Sequence, residues 1–274
     1  MRLNVYKILF LALILLSALF WQAVRWRQYR ESSSVIFLDV GQGDSALLLI
    51  EGVVAVIDGG PDNSLLGELG DYLPYFERTI DYLIISHDHD DHTLGLFELL
   101  RRYKVVNLVY GPTIAGRSAA EDLRRRAAIG GVKEFPVAGS AVIYLRGGYV
   151  LDLLNPVVLG VKKDDNNSLL VRLSGPEKKV LFMGDNSFRV EEAIASSRWD
   201  IDVDILKAGH HGSKTSSSSS FLAQVSPDYF IVSSGSHNSF GHPHQEVLDR
   251  ARAVGAVIKR TDVEGSLEFV FSGP

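Results

Sequence analysis

From residue 35 onward the chain reads as short apolar runs broken by glycine-bearing turns. VIFLDV, ALLLI and VVAVID are separated by GQGD and EG, a pattern that predicts consecutive antiparallel strands. DYLIIS opens a second regime, in which apolar runs alternate with segments of helical period. A helix over 94–103 leads to the strand KVVNLVY, and a helix near 118–129 leads to short strands around 132–137, 141–145 and 149–154. SLLVRLS (168–174) and KKVLFMGD (178–185) follow, with GPEKK between them predicting a hairpin. Helix 187–197, strand VDILKAG, helix 219–224, strand YFIVSS, helix 244–254 and closing strands near 256–260 and 266–270 complete the series. TSSSSS, 215–220, reads as a flexible loop within one domain, because strand patterns continue on both sides. Strands alternating with helices in this way predict a layered α/β architecture spanning 31–274.

The first 30 residues depart from that pattern. ILFLALILLSALFWQAV, 8–24, carries no charge over 17 residues, at the short end of what crosses a bilayer. Trp21 and Ala23 would occupy the two small-residue positions of a signal cleavage site, and tryptophan fits poorly there. Segment 1–30 is therefore expected to be an uncleaved single-pass membrane anchor, with a cleaved signal and a buried helix as alternatives. Arg2 and Lys7 before it nearly balance Arg25, Arg27 and Arg30 after it, so flanking charge gives no orientation.

Composition narrows the function classes. The 274 residues are 46% hydrophobic and 22% charged, and 28 basic against 33 acidic residues leave a net charge of -5. Bulk electrostatics therefore do not make this a nucleic-acid binder. Arg101, Arg102, Lys104, Arg117, Arg124, Arg125, Arg126 and Lys133 gather in one third of the chain and read mainly as solvated helix faces, with a local basic groove as the alternative. The absence of cysteine excludes disulfides and restricts any metal site to His, Asp and Glu.

The chemistry starts with SHDHDDHTLG, 86–95, which places three imidazoles and three carboxylates in six consecutive positions directly after an apolar strand. Crowded and unpaired, such groups lose hydration and repel one another; a divalent ion makes the same crowding favourable. His87 and His89 alternate on a turn and can share one ion. Asp91 and His92 open the next helix and can serve a second. Asp185, ending KKVLFMGD, can bridge two ions, with a helix N-cap as its ordinary alternative. His210 of AGHHGS completes the second set and His211 lies behind it or faces substrate, with these two roles interchangeable. Asp39, Asp58, Asp185, His210, His211 and Ser233 all follow apolar runs, so polar groups gather at the carboxyl ends of strands, where ligands of α/β folds collect. Paired divalent ions of the zinc or manganese type support hydrolysis by activating water, and Asp91 can orient that water or take its proton.

His87-x-His89-x-Asp91-His92 resembles the signature of the metallo-β-lactamase superfamily, as does VIDGG with Asp58. FLDVGQGDSALL, NNSLLVRL, VLFMGD, DILKAGHHGSKTSSSSSFL, GSHNSFGHPH and RTDVEGSLEF are similar to the C-terminal metallo-β-lactamase domain of ComEC-type DNA-uptake competence proteins, over roughly residues 35–271. The resemblance implies a four-layer αββα sandwich with a dinuclear site at one edge; with the apolar run 8–24, the expected architecture is that sandwich preceded by one N-terminal transmembrane helix. It implies a metal-dependent nuclease or phosphodiesterase that degrades the DNA strand not imported, on the extracytoplasmic side. His87, His89, Asp91, His92, Asp185 and His210 would then ligate two zinc or manganese ions. Asp91, His211 and His242 would act in catalysis, and Lys214, His244 and Asn167 would bind substrate. Asn167 and Ser168 stand where many members place a further metal-binding histidine. His89 replaces the aspartate usual in the ComEC group, and Leu94-Gly95 replaces its double glycine. One short apolar segment cannot conduct DNA, so uptake would need a separate channel partner. Two other functions stay open on the residues alone: a hydrolase of thioesters, lactones or β-lactams, and a non-catalytic metal-stabilised tethered module.

Overall fold

The computed structural model describes residues 5–111, 119–162 and 167–271; Arg117 of the basic cluster lies outside them. Two seven-stranded sheets face one another. In the first, β1 (Ser33–Phe37), β2 (Ala46–Ile50) and β3 (Val53–Ile57) run antiparallel, and β4 (Thr79–Ile85), β5 (Lys104–Tyr110) and β6 (Lys133–Pro136) continue parallel to β3. In the second, β7 (Ser140–Tyr144), β8 (Val150–Leu154), β9 (Leu170–Ser174) and β10 (Lys179–Phe182) are antiparallel. β11 (Ile205–Lys207), β12 (Tyr229–Val232) and β13 (Val257–Arg260) extend it in parallel. The closing strand β14 (Leu267–Phe271) returns to the first sheet and pairs antiparallel with β1.

Three apolar layers hold this together. Along β2 the side chains alternate between faces. Ala46, Leu48 and Ile50 join Val35, Phe37, Leu151, Leu173 and Phe182 between the sheets. Leu47 and Leu49 pack outward with Leu65, Leu69, Leu96, Leu99 and Leu123, which belong to α2 (Ser64–Tyr72), α3 (Asp90–Arg102) and α4 (Ala119–Ile129). Burial on both faces is why ALLLI reads as an unbroken apolar run. The second sheet is covered likewise by α5 (Phe188–Ala195), α6 (Ser219–Val225) and α7 (Gln245–Ala253), through Val190, Ile194, Phe221, Leu222, Val247 and Leu248. The layers are therefore helix, sheet, sheet, helix.

The structure corrects three expectations. Helix α3 begins at Asp90 rather than near 94, since Asp90 and Asp91 favour the positive end of the helix dipole. Helix α2 and the short α8 (Thr261–Glu264) carry no strong sequence signal; two glycines in SLLGELGDY depress helix propensity. TSSSSS is no flexible loop. Glu191 on α5 accepts from the amides of Ser217 and Ser218, and Arg250 on α7 donates to the carbonyls of Ser216 and Ser217 at 2.9 and 2.8 Å. Ser216 Oγ donates to Gly209 O at 2.6 Å, and Ser218 caps α6 by accepting from Phe221 N at 3.3 Å. Ser216, Ser217 and Ser218 are thus held inside the fold, tying the segment to the loop that carries His210. In Leu94-Gly95 the glycine is required by a close backbone approach: a Cβ on Gly95 would stand 2.0 Å from Gly59 O. The neighbouring Leu94 side chain is exposed, which is why a leucine is tolerated there.

Helix α1 (Val5–Glu31) contains a 19-residue apolar stretch, Tyr6–Val24, long enough to cross a membrane. It leads almost directly into β1, where Ser33 pairs with Ile50 and Ile50 pairs with Val53. The chain therefore joins α1 at the amino end of β1 and β3. About 17 Å of strand separates that end from their carboxyl ends.

Candidate metal centre

Strands β3, β4, β10 and β11 release their chain at one end of the sandwich, and each is followed by a chemistry-bearing residue: Asp58, His87, Asp185 and His210. Asp185 is the hub. Its Oδ2 lies 3.6 Å from His87 Nε2, 3.8 Å from His89 Nδ1 and 3.6 Å from His210 Nε2. Its Oδ1 lies 3.3 Å from His92 Nε2 and 3.4 Å from His211 Nε2, and His211 Nε2 is also 3.4 Å from Asp91 Oδ2. Three sets of potential ligand atoms come together among the described residues, His87–His89–Asp185, Asp91–His92–His211 and Asp44–His92–Asp185, and Asp185 stands between the first two through its two oxygens. It is His211, not His210, that joins Asp91 and His92; His210 turns to the other carboxylate oxygen. Both histidines hold left-handed backbone, with φ of 47° and 53°, which swings their rings to opposite sides of Asp185.

Hydrogen bonding supplies the test of fit. His87 Nε2, His92 Nε2, His211 Nε2 and Asp185 Oδ1 are buried without any hydrogen-bond partner. The other nitrogen of each ring is engaged. His92 Nδ1 meets Asp58 Oδ2 at 2.9 Å, His87 Nδ1 meets Ser86 Oγ at 3.0 Å and Ser168 Oγ at 3.2 Å, and His211 Nδ1 meets Ser233 O at 3.2 Å, with Asp44 Oδ1 facing it as a charge partner at 3.0 Å. Orphaned buried polar atoms are costly. Rings held by one nitrogen with the other aimed inward are how proteins present metal ligands. Bonds of about 2.0–2.2 Å to a tetrahedral ion put neighbouring ligand atoms about 3.4 Å apart, close to the separations found here. These residues fit divalent metal.

Electrostatics agree. Burial works against charge on His92, but Asp185 and Asp58 outweigh it and hold the ring's pKa well above the ordinary range. Burial likewise opposes charge on His211, yet Asp44 and Asp185 push its pKa up to about 9. Asp185 is held well below the carboxylate range: burial opposes this and is overcome by His211 and His92.

The remaining expected residues divide. His242 stacks against His211, with ring centroids 6.2 Å apart. Burial, together with His211 and His210, lowers its pKa to about 4, and the ring stands half-buried at the rim of the cluster. His244 precedes α7 and lies 5.2 Å from His242 ring to ring. Lys214 is exposed. Asn167 is not brought in; its amide donates to Lys162 O at 2.8 Å, and Ser168 reaches His87 instead. Sequence reading missed Asp44 and Lys207. Lys207 Nζ lies 2.8 Å from Asp44 Oδ1, and both side chains are buried beneath His211. A lysine closing the buried strand Ile205–Lys207 was the available signal, because a buried ammonium requires a carboxylate.

Against known proteins, a family model for the metallo-beta-lactamase superfamily matches residues 38–237. Recombination protein 2 of Haemophilus influenzae is 32% identical over 239 residues, covering 85% of this chain and 28% of that protein. ComE operon protein 3 of Bacillus subtilis is 28% identical over 254 residues, covering 86% and 32%. The chain thus spans about a third of the length of these relatives or less. Among solved structures, the metallo-beta-lactamase fold protein YhfI from Bacillus subtilis superposes with a TM-score of 0.62 at 11% identity, over 87% of this chain and all of that one, a likeness of fold.

Proposed function

The chain belongs to the metallo-beta-lactamase superfamily, and on that premise we propose that it is a membrane-anchored, dinuclear metal-dependent phosphodiesterase acting on DNA. The observation that carries the reading is the set of orphaned ligand atoms converging on both oxygens of Asp185. One ion would be held by His87, His89, His210 and Asp185 Oδ2, and the second by Asp91, His92, His211 and Asp185 Oδ1. His210 then fills the place of the histidine that this chain lacks at 167–168, and His211 moves from the rim to the ligand set. Zinc or manganese suits these nitrogen and oxygen donors; bound as a pair, such ions lower the pKa of water and neutralise charge building on phosphate oxygens. Asp91 faces both the second group and solvent and takes the proton of the attacking water. Lys214 meets the substrate's phosphate, and His242 and His244 line its approach. Competence-protein relatives support DNA as the phosphodiester, with a separate channel partner where uptake is concerned.

Chelator-stripped protein given zinc or manganese is expected to regain two ions per chain and hydrolysis of bis-p-nitrophenyl phosphate and single-stranded DNA. Turnover confined to thioester, lactone or β-lactam substrates would overturn the phosphodiesterase reading, and one ion without turnover would leave a structural module. Residues 1–30 anchor the domain, 31–274, on the extracytoplasmic face, with the candidate centre at the end of the sheets away from α1. Alkaline extraction should leave the full chain with membranes and release a form lacking 1–30, and protease added to intact cells should digest the domain. A soluble full chain or a protected domain would contradict this.

A further inference from the structure

Loop 235–242 carries an aromatic ring to the rim of the candidate centre where no packing demand accounts for it. Phe240 is 64% exposed. Its ring lies 5.7 Å from that of His242, with 22° between planes, and His242 lies at 28° to His211. Three near-parallel rings step outward from the buried cluster to solvent, ending on an apolar one.

The loop is built to hold that ring in place. Asn238 Oδ1 accepts from Phe240 N at 3.2 Å and His242 N at 3.0 Å. Its Nδ2 donates to Gly235 O at 2.9 Å and His242 O at 2.6 Å, so the whole amide is spent on the turn. Gly235 N donates to Gln42 Oε1 at 3.1 Å, tying the loop to the β1–β2 connection. A fixed ring presented to water beside a hydrolytic site is a preorganised surface for a flat partner. Lys214, three residues past His211 in the chain, is exposed.

We propose that Phe240 is a stacking platform for an unpaired nucleobase, seating the nucleotide next to the scissile phosphate of a single strand. Every base offers a π-face, so the platform selects single-stranded over duplex substrate without reading sequence. In a duplex that face is covered by neighbouring base pairs. The assignment deepens the phosphodiesterase reading and rests on it.

The test compares metal-loaded wild type, Phe240→Ala and Phe240→Tyr on a single-stranded oligonucleotide, on its duplex, and on oligonucleotides with one abasic nucleotide scanned past the cleaved bond. Phe240→Ala is expected to raise KM for the single strand about ten-fold, the scale of one base–aromatic stack, with a smaller effect on kcat. Phe240→Tyr should restore KM. One abasic position should raise the wild-type KM by a similar factor and leave Phe240→Ala unmoved. If wild type cleaves the single strand and Phe240→Ala keeps its KM while remaining folded by circular dichroism, the stacking platform is overturned and the phosphodiesterase reading stands. If metal-loaded wild type cleaves no nucleic acid, both fall.

Discussion

Asp185→Asn is expected to lower hydrolysis on the order of a thousandfold, the scale of losing a preorganised charge at the reacting centre, and to leave fewer than two ions per chain. The side chain is the one group both clusters share, with Oδ2 facing His87, His89 and His210 and Oδ1 facing His92 and His211. Asparagine keeps the volume, and the backbone amide of residue 185 still donates to Ser168 Oγ at 2.8 Å, so the loop should hold. What is lost is the charge that draws cations to both groups. Metal analysis by mass spectrometry and rates on bis-p-nitrophenyl phosphate measure the two effects. A variant that keeps two ions and full rate would show that Asp185 bridges nothing.

The candidate cluster was legible because it is local: His87 to His92 lie in six consecutive positions after a strand. The strand pattern was legible for a related reason, since burial on both faces gives runs such as ALLLI and VVAVI no polar interruption. What sequence could not supply was pairing at long range. The roles of His210 and His211 depend on two left-handed residues in succession, and adjacency alone leaves either order possible. Asn167 looked suitable by type, yet a bond to Lys162 turns it away. The five serines read as slack chain because the partners of Ser216, Ser217 and Ser218, Glu191 and Arg250, come from helices distant in sequence. Helix α2 was hidden by Gly67 and Gly70, and only the docking of Leu65 and Leu69 against the first sheet makes it a helix.

The same logic makes Lys207→Met the most damaging change expected outside the ligand set. Lys207 is 3% exposed, and its ammonium donates to Ala208 O at 3.0 Å while facing Asp44 at 2.8 Å. Burial alone would raise the Asp44 pKa; Lys207 and then His211 overcome it and hold the carboxyl below its usual range. Methionine fills the space and removes the charge, leaving Asp44 buried with His211 alone. Breaking a buried pair from one side costs roughly 3–5 kcal/mol, so the melting temperature should fall by about 6–20 °C for a domain of this size. Adding Asp44→Asn removes the stranded charge, and the double variant should recover much of that loss. Activity should not follow, because His211 then lacks the carboxylate that sets its ring, and removing such a partner costs about 10–100-fold in metal affinity or rate. Thermal unfolding and metal-dependent hydrolysis, measured on both single variants and the double, separate the two roles. Should the double variant regain stability and full rate together, Asp44 would be a partner for Lys207 only and would have no part in positioning His211.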